Sequence, residues 1–458
     1  MSDSNPPEIA VIGGGLAGVD AAWQAARAGA RVRLYEMRPV RKTPAHKTDR
    51  LAELVCSNSL KSNQAHTAPG MLKVEMRLLG SLVIAAADES AVPAGAALAV
   101  DREQFAARIT SALEEHPRIT VLREEVTEIP DAAPTVICTG PLTSDALAAR
   151  IQAVTGSEAL YFYDAASPIL EAESINREII WEQSRYDKGG GGGYLNCPFD
   201  EIGYYRFREA LIAAELTPLH DFEPMKMFEG CLPIEELARR GPLTMAYGPM
   251  RPVGLRDPRT GERPFAVVQL RAENRDRTLW SMVGYQTRLK WPEQKRIFRT
   301  IPGLEEAEFV RLGVMHRNTY LRSPTLLEPT LALRPALMKG AERRQPLFFA
   351  GQMTGVEGYV ESAATGMLAG LNAARMARGK APLTLPAETM LGALAEYVSH
   401  GPADNFQPLN SNFGLLPALH PRVRRKAERR AAMAARAIAA MREFCAALGR
   451  GEPAEAAA

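Results

Sequence analysis

The feature that most constrains the fold is the glycine-rich turn Gly13-x-Gly15-x-x-Gly18 near the start of the chain. A short apolar stretch over 9–12 predicts a strand before the turn, and a helix follows that ends at Gly29, ahead of a second strand. In such a turn the first glycine allows the tight bend, the second lets the backbone approach a pyrophosphate, and the third permits close helix packing. The order strand, turn, helix, strand therefore predicts a dinucleotide-binding unit.

The same unit predicts which residues hold the nucleotide. The N-terminus of the helix faces the phosphates, because its first N–H groups have no partner within the helix. Glu36 stands at the end of the second strand, where a carboxylate accepts hydrogen bonds from the adenosine ribose. The predicted contacts from this unit are Gly13, Gly14, Gly15, Leu16, Ala17, Gly18 and Glu36.

Two later segments favour FAD over a freely exchanging nicotinamide nucleotide. The strand ending in Cys138-Thr139-Gly140 resembles one found in flavoproteins of the glutathione-reductase class. Near the other end of the chain, an apolar strand over 346–351 runs into a glycine-rich turn and a small-residue helix over 362–374. The N-terminus of that helix is expected to face the flavin. The additional predicted FAD contacts are Thr139, Gly140, Gly351, Gln352 and Val356.

Between these segments the pattern of the chain changes. Strand-like runs such as 265–270 and 279–284 replace the alternation of strands and helices, and the five glycines at 189–193 favour a flexible loop before the change. We predict an α/β fold: a discontinuous, Rossmann-like FAD-binding domain of the glutathione-reductase type with an inserted α+β domain. The expected limits are 1–203 and 326–420 for the FAD-binding domain, 204–325 for the insert, and 421–458 for a basic helix and tail.

Composition narrows the class further. The 458 residues are 46% hydrophobic and 24% charged with a net charge of +2, as in ordinary globular proteins, so any nucleic acid must be held by a local basic patch. The N-terminus lacks the features of a signal peptide, and no apolar run approaches the ~20 residues of a membrane span. We expect a cytoplasmic protein without a membrane partner. The cysteines are odd in number and form no CxxC pair, which favours free thiols and no bound metal: Cys56, Cys138, Cys197, Cys231 and Cys445.

Six further segments carry a resemblance that covers residues 8 to about 420. They are RLAELVCSNSL at 50–60, YLNCP at 194–198, FEGCLPIE at 228–235, LKWPEQK at 289–295, MHRNTY at 315–320 and NFGLLP at 412–417. The sequence resembles the folate- and FAD-dependent tRNA (uracil-5-)-methyltransferase family, TrmFO, formerly called Gid. The resemblance implies transfer of a one-carbon unit from 5,10-methylenetetrahydrofolate to uracil-54 in the T loop of tRNA. It also implies NADH or NADPH as the reductant, acting through FAD.

This chemistry gives two cysteines a purpose. Uracil C5 is a poor nucleophile until a group adds at C6 and creates an enolate, and a thiolate does this well. By resemblance Cys231 is the nucleophile, while Cys56 assists, either by handling the C5 proton or by protecting the reactive centre. Cys138, Cys197 and Cys445 are expected to be buried structural residues.

The ligands that the resemblance implies, a pterin, a uracil and RNA phosphates, suggest further contact residues. Trp291, Tyr285 and His316 are candidates to stack on a pterin or on a uracil flipped out of its stack, because both ligands present π-faces. Arg317 is a candidate phosphate contact. For the aromatic residues, the alternative is a place in the core or at a domain interface, and for the arginine it is a solvated surface charge.

The segment 421–448 is strongly basic and predicts a helix with an apolar stripe. The expected stripe comprises Val423, Ala427, Ala431, Ala434, Ile438, Met441, Cys445 and Leu448. A solvated helix packed by alanines and a tRNA-contacting helix both fit this pattern.

Two rival functions remain at the level of sequence. One is the longer flavoprotein that modifies the wobble uridine of tRNA, which has a larger C-terminal helical domain and lacks the Cys56-Ser57-Asn58-Ser59 stretch. The other is a flavin-binding interaction protein without methyl transfer. The Cys-Ser-Asn-Ser stretch favours the methyltransferase.

Overall fold

The structure, a computed structural model, describes residues 6–43, 45–156, 160–165, 167–187, 193–217, 232–274, 276–313, 315–340, 342–403 and 406–449. Of residues 160–165 and 315–319 it describes the backbone alone. Cys231 and four of the five glycines at 189–193 lie outside the described residues.

Strands are numbered in chain order. They are β1 Glu8–Ile12, β2 Arg31–Tyr35, β3 Ser59–Ser62, β4 Ala91–Val92, β5 Ala97–Val100, β6 Ile119–Leu122, β7 Thr135–Ile137, β8 Leu160–Ala165, β9 Ile169–Glu171, β10 Trp181–Glu182, β11 Tyr194–Phe199, β12 Ala266–Ala272, β13 Leu279–Met282, β14 Phe309–Arg311, β15 Met315–Tyr320 and β16 Leu347–Phe349.

Helices are numbered in the same way. They are α1 Leu16–Arg27, α2 Ala68–Leu79, α3 Leu82–Glu89, α4 Arg102–Glu114, α5 Asp145–Thr155, α6 Glu201–Ala213, α7 Ile234–Arg240, α8 Thr244–Tyr247, α9 Trp291–Phe298, α10 Ser323–Leu326, α11 Pro335–Gly340, α12 Tyr359–Met376, α13 Met390–His400 and α14 Lys426–Ala447.

A five-stranded parallel sheet in the order β16-β7-β1-β2-β6 organises the first body. Its central strand β1 is apolar and buried after Glu8, as expected for a parallel strand covered on both faces. β7 pairs with β1 on one side and with β16 on the other, with Leu347 opposite Thr135. The last strand thus comes from a part of the chain two hundred residues downstream, and the predicted discontinuous α/β fold is confirmed.

Helices α1 and α12 pack against each other on this sheet, and small residues allow their close approach. A Cβ atom on Gly366 of α12 would lie 2.0 Å from the carbonyl oxygen of Ala17, and one on Gly370 would lie 2.1 Å from that of Ala21. Any side chain at these two glycines would push the helices apart. The two helices run parallel, so both N-termini point toward the carboxyl edge of the sheet, and α12 begins about two turns before α1.

A six-stranded sheet in the order β10-β11-β12-β13-β9-β14 forms the second body. All of its pairings are antiparallel, and α6, α7 and α9 contribute to its buried core. Three of its strands, β9 to β11, precede residue 204, where we expected the insert to begin. β9 and β10 are short. β9 and β11 pair with strands sixty or more residues later, and β10 joins the sheet only through β11. The domain limits themselves stay a prediction.

The C-terminal helix packs with a face that differs in part from the predicted stripe. Ala434, Met441 and Cys445 are buried as expected. The predicted Ala427 and Ala431 are exposed, and Met433 and Ala437 are buried in their place. The prediction was wrong there because packing against α2 selects the face that carries the larger methionine side chains.

No helix within the described ranges is long and apolar enough to cross a membrane.

Candidate functional site

A cavity of about 1050 Å³, including its open mouth, lies at the carboxyl edge of the parallel sheet. This edge is where open α/β sheets bind ligands, because the loops and helix N-termini meet there. Ten of the twelve residues predicted to contact the cofactor line the cavity. They are Gly13, Gly14, Gly15, Leu16, Ala17, Glu36, Thr139, Gly140, Gly351 and Gln352.

The glycine turn has the shape that a pyrophosphate requires. Gly13 adopts a φ of 104°, and a Cβ there would lie 2.6 Å from the carbonyl oxygen of Cys138. A Cβ on Gly18 would lie 1.8 Å from the carbonyl oxygen of Gly13, so this glycine serves packing and does not line the cavity. A Cβ on Gly15 would meet no protein atom within 4 Å, although Gly15 is the N-cap of α1. The open space therefore lies beside the N–H groups at the start of α1. No side chain caps these groups, and they favour an anion.

Glu36 lines the cavity and takes part in a network of hydrogen bonds. Its Oε1 accepts from the backbone N–H and the Nε–H of Arg38, at 3.0 and 2.9 Å, and its Oε2 accepts from the N–H of Gly14 at 3.0 Å. Burial raises the pKa of Glu36, but the hydrogen bonds and charge of Arg38 outweigh it and hold that pKa below its usual value. Glu36 is thus ionised. A carboxylate that accepts hydrogen bonds from three N–H groups can still accept one more from a ribose hydroxyl.

Cys56 is held next to the cavity by Tyr359. The phenolic oxygen of Tyr359 accepts a hydrogen bond from the N–H of Cys56 at 2.8 Å and from the N–H of Ser57 at 3.3 Å. It lies 3.0 Å from the Sγ atom of Cys56. Since the oxygen already accepts two hydrogen bonds, its O–H is the donor toward sulfur. Tyr359 is the first residue of α12 and lines the cavity, so the cysteine lies beside the cavity.

Tyr359 stays protonated in this position. Burial, together with the adjacent Cys56 sulfur, raises the pKa of Tyr359 well above its usual value. A phenol that keeps its proton is a permanent hydrogen-bond donor to an anionic sulfur.

Cationic side chains surround the loop that carries Cys56. Arg102 donates to the carbonyl oxygen of Leu54 at 2.5 Å and forms a buried ion pair with Glu273. Arg311, on β14 of the second body, donates to the carbonyl oxygen of Cys56 at 3.4 Å. Two arginines and a single partner carboxylate leave a positive field around the sulfur, which favours its thiolate form.

The second body also clamps the next two residues of this loop. Arg271 of β12 donates from Nε to the Asn58 side-chain oxygen and from Nη2 to the Ser57 hydroxyl oxygen, both at 2.8 Å. The Asn58 amide donates to the carbonyl oxygens of Val100 and Ala272, at 2.9 and 2.8 Å. Asn58 is fully buried, and both polar atoms of its side chain are hydrogen-bonded. The position of Cys56 therefore depends on how the two bodies pack.

Three other predicted residues do not line the cavity. Tyr285 is fully buried in the second core, with its ring 5.8 Å from that of Phe298. Trp291 is 61% exposed at the start of α9. Val356 is buried and outside the cavity lining.

The predicted residues His316 and Arg317 lie on β15, where the backbone alone is described. Cys138 and Cys197 are buried, and burial raises the pKa of both thiols. Neither is a reactive cysteine. Among the residues that the structure describes, no group of three or more His, Cys, Asp or Glu side chains is placed to hold a metal ion.

Sequence reasoning missed the residues that orient the site: Arg38, Tyr359, Asn58 and Arg271. Tyr359 follows directly after Gly358 in the glycine-rich turn before α12, which was the available signal. Asn58 stands in the Cys56-Ser57-Asn58-Ser59 stretch, but nothing in the sequence shows that its partner is Arg271, 213 positions away. Arg38 pairs with the nearby Glu36, a contact that the strand and turn pattern does not indicate.

A parallel sheet whose glycine turn opens onto a nucleotide-sized cavity, packed beside an antiparallel sheet, defines the class of flavoproteins with a Rossmann-like FAD-binding fold. The model of the family described as glucose inhibited division protein A matches residues 8–381. The chain belongs to this family, in the branch of relatives named methylenetetrahydrofolate–tRNA-(uracil-5-)-methyltransferase TrmFO.

Two of those relatives show the extent of the similarity. The TrmFO of Heliobacterium modesticaldum is 57% identical over 438 residues, covering 96% of this chain and 98% of the relative. That of Bacillus pumilus is 58% identical over 430 residues, covering 94% and 97%. Among solved structures, Aquifex aeolicus GidA in its form II crystal superposes with a TM-score of 0.70 at 19% identity, covering 98% of this chain and 74% of that one. This likeness shows the shared fold.

Proposed function

We propose that this protein is a methylenetetrahydrofolate–tRNA (uracil-5-)-methyltransferase that converts uracil-54 of the T loop to 5-methyluridine. The observation that carries the proposal is the placement of Cys56 beside the nucleotide cavity, with its sulfur 3.0 Å from the Tyr359 hydroxyl. A thiol at the end of a dinucleotide cavity is suited to chemistry on a base brought against that nucleotide. The relatives that carry this activity in their name match nearly the whole chain at 56–58% identity.

The residues of the cavity fit FAD. The Gly13 to Gly18 turn and the N-terminus of α1 would hold its pyrophosphate, and Glu36 its adenosine ribose. The N-terminus of α12, with Gly351 and Gln352, would border its flavin end. When bound, FAD supplies the reducing electrons, which we propose come from NADH or NADPH.

The side chains around Cys56 define what it does in this proposal. Tyr359 donates a hydrogen bond to the sulfur, and Arg102 and Arg311 surround it with positive charge. These groups favour a thiolate, which is able to accept the proton that leaves uracil C5 or to shield the reactive centre. Cys231, the proposed nucleophile toward C6, lies outside the described residues, and its role rests on the resemblance of the FEGCLPIE segment. A cytoplasmic location also stays a prediction.

The test is a reconstituted reaction with methylenetetrahydrofolate, NADH or NADPH, and a T-loop RNA transcript, read by mass spectrometry of the nucleosides. We expect 5-methyluridine from the wild-type protein, none from Cys231→Ala, and a large loss from Cys56→Ala. Cys445→Ala, which removes a cysteine of the C-terminal helix, serves as the control and should keep activity. A flavin-loaded wild-type protein that makes no 5-methyluridine would refute the proposal.

A further inference from the structure

The C-terminal helix α14 has a basic end that internal packing does not explain. Its buried face contains Met433, Ala437 and Met441, all beyond the first two turns of the helix. The nine residues 422–430, which we call the basic segment, instead carry six cations and one carboxylate. They are Arg422, Arg424, Arg425, Lys426, Arg429 and Arg430, with Glu428 as the carboxylate.

Little of this charge is neutralised within the protein. Arg425 and Glu428 form an exposed ion pair at 3.1 Å. The other five cations of the segment have no carboxylate within the segment to pair with. Arg430 lies over the ring of Phe413, with its guanidinium carbon 5.6 Å from the ring centroid. Within the described part of the chain, Arg422, Arg424 and Lys426 are exposed and have no ion-pair partner.

The cations also stand at the wrong end of a helix for its stability. α14 begins at Lys426, its N-cap residue Arg425 makes no side-chain capping bond, and Arg429 follows in the first turn. The N-terminus of a helix carries partial positive charge and unpaired N–H groups, and both favour anions. Like charges four residues apart, such as Arg425 and Arg429, destabilise the helix further. The composition of the basic segment therefore fits an external polyanion.

The basic segment is connected to the site around Cys56 by a short chain of contacts. Glu361 lies in the first turn of α12, two residues after Tyr359. Its Oε1 accepts hydrogen bonds from the Ser411 N–H at 3.0 Å and from the Ser411 hydroxyl at 2.7 Å. Phe413, under Arg430, is two residues further on, a span of at most ~7 Å. The positive surface thus borders the end of α12 where the chemistry is proposed.

We infer that the basic segment 422–430 is a docking surface for the phosphate backbone of the substrate tRNA. The inference rests on the proposed function, since it names where the RNA is held. Exposed arginines and lysine pair with phosphates, and the N–H groups at the start of α14 add a further anion site. The resulting contact is independent of base sequence and positions the RNA so that one base reaches Cys56.

The test compares two double variants that each remove two exposed cations. Arg424→Gln with Lys426→Gln changes the basic segment. Arg378→Gln with Lys380→Gln changes the opposite end of α12, about 27 Å from Tyr359 at 1.5 Å per residue, and is the matched control. Loss of cations at the start of α14 does not weaken the helix, and Arg378 and Lys380 are exposed. Both variants are therefore expected to fold and to bind flavin as the wild type does.

Binding of T-arm RNA is measured at several salt concentrations, together with NAD(P)H oxidation in the absence of RNA. We expect the basic-segment variant to bind RNA about 10-fold more weakly, with a salt slope lower by about 1 to 2, because each phosphate contact contributes roughly 0.7 to 0.9. Its RNA-independent oxidation should equal that of the wild type and the control.

Equal affinity and equal salt slope for the two variants would overturn the inference while leaving the proposed function intact. Wild-type protein that holds flavin but makes no 5-methyluridine would overturn both.

Discussion

The Sγ atom of Cys56 lies 3.0 Å from the phenolic oxygen of Tyr359, although 303 positions separate the two residues in the chain. Tyr359 begins the helix whose N-terminus faces the nucleotide cavity, and Cys56 belongs to a loop that the second sheet clamps through Arg271. One hydrogen bond therefore connects the cofactor cavity, the Cys56 sulfur and the packing of the two bodies.

Replacement of Tyr359 by phenylalanine removes this hydrogen bond while keeping the ring. The N–H groups of Cys56 and Ser57 lose their acceptor, and the sulfur loses its donor. Loss of a buried hydrogen bond costs about 1–3 kcal/mol, so we expect methyl transfer to slow roughly 10- to 100-fold with flavin still bound. Single-turnover formation of 5-methyluridine measures the effect. Tyr397→Phe removes a phenol that donates to the Gln407 carbonyl oxygen instead, and it should leave the rate unchanged.

Replacement of Arg271 by methionine tests whether the second body positions Cys56. The change leaves the side-chain oxygens of Asn58 and Ser57 without their donor and removes one cation near the sulfur. Tyr359, Arg102, Arg311 and Glu273 continue to face the loop. We expect the pH midpoint of Cys56 alkylation by iodoacetamide to rise and kcat to fall about 10-fold.

Two further variants separate positioning from general stability in that experiment. Arg271→Lys keeps the charge but not the paired hydrogen bonds, so it should restore the alkylation midpoint more fully than kcat. Arg185→Met removes an arginine that donates to Gln269 of the same strand and does not contact the loop. If Arg185→Met shifts the alkylation profile as far as Arg271→Met does, the positioning role is wrong.

Replacement of Gly15 by alanine tests the fit of the cavity to a pyrophosphate. Gly15 has a φ of −78°, which alanine adopts readily, and the added Cβ meets no protein atom within 4 Å. The apoprotein should therefore keep its Tm, while the methyl group takes space between the helix N-terminus and the phosphates. We expect flavin occupancy to fall at least 10-fold, read from the visible absorbance of the purified protein. Gly340→Ala also adds a Cβ in open space, away from the cavity, and should keep full occupancy.

The sequence predicted the residues that line the cofactor cavity far better than those around Cys56, for a physical reason. Gly15, Glu36 and Gly351 stand at the ends of strands, and parallel strands bring their carboxyl ends to one edge of the sheet. Local pattern is then enough to bring such residues together. Tyr285 was predicted to stack on a ligand because of its flat ring. Its burial depends on packing against Phe207 of α6 and Phe298 of α9.

The loop around Cys56 depends on pairings that local patterns do not contain. Asn58 and Arg271 are 213 positions apart, and neither has a distinctive neighbour spacing. The strands β9 and β10 have three and two residues and acquire their sheet only through later strands. Long-range partners of this kind are set by the tertiary fold.

Glu75 is a fully buried carboxyl group that caps the start of α13. Its oxygens accept hydrogen bonds from the N–H groups of Met390 and Leu391 at the start of α13, at 2.7 and 2.9 Å. Burial nevertheless raises the pKa of Glu75 to about 8, above the 4.5 of an exposed glutamate. The folded protein therefore holds a proton between these pH values that the unfolded chain releases, and stability falls as the pH rises through this window.

One proton gives the free energy of unfolding a slope of at most about 1.4 kcal/mol per pH unit. Burial also raises the pKa of Asp20 to about 7, so Asp20 contributes a slope of the same sign. Glu75→Gln keeps an acceptor for α13 but cannot ionise, so its Tm should fall less than that of the wild type between pH 5.5 and pH 7.5. Glu173→Gln, at an exposed position, should follow the wild type. Parallel Tm profiles for Glu75→Gln and the wild type would show that Glu75 takes up no proton on folding.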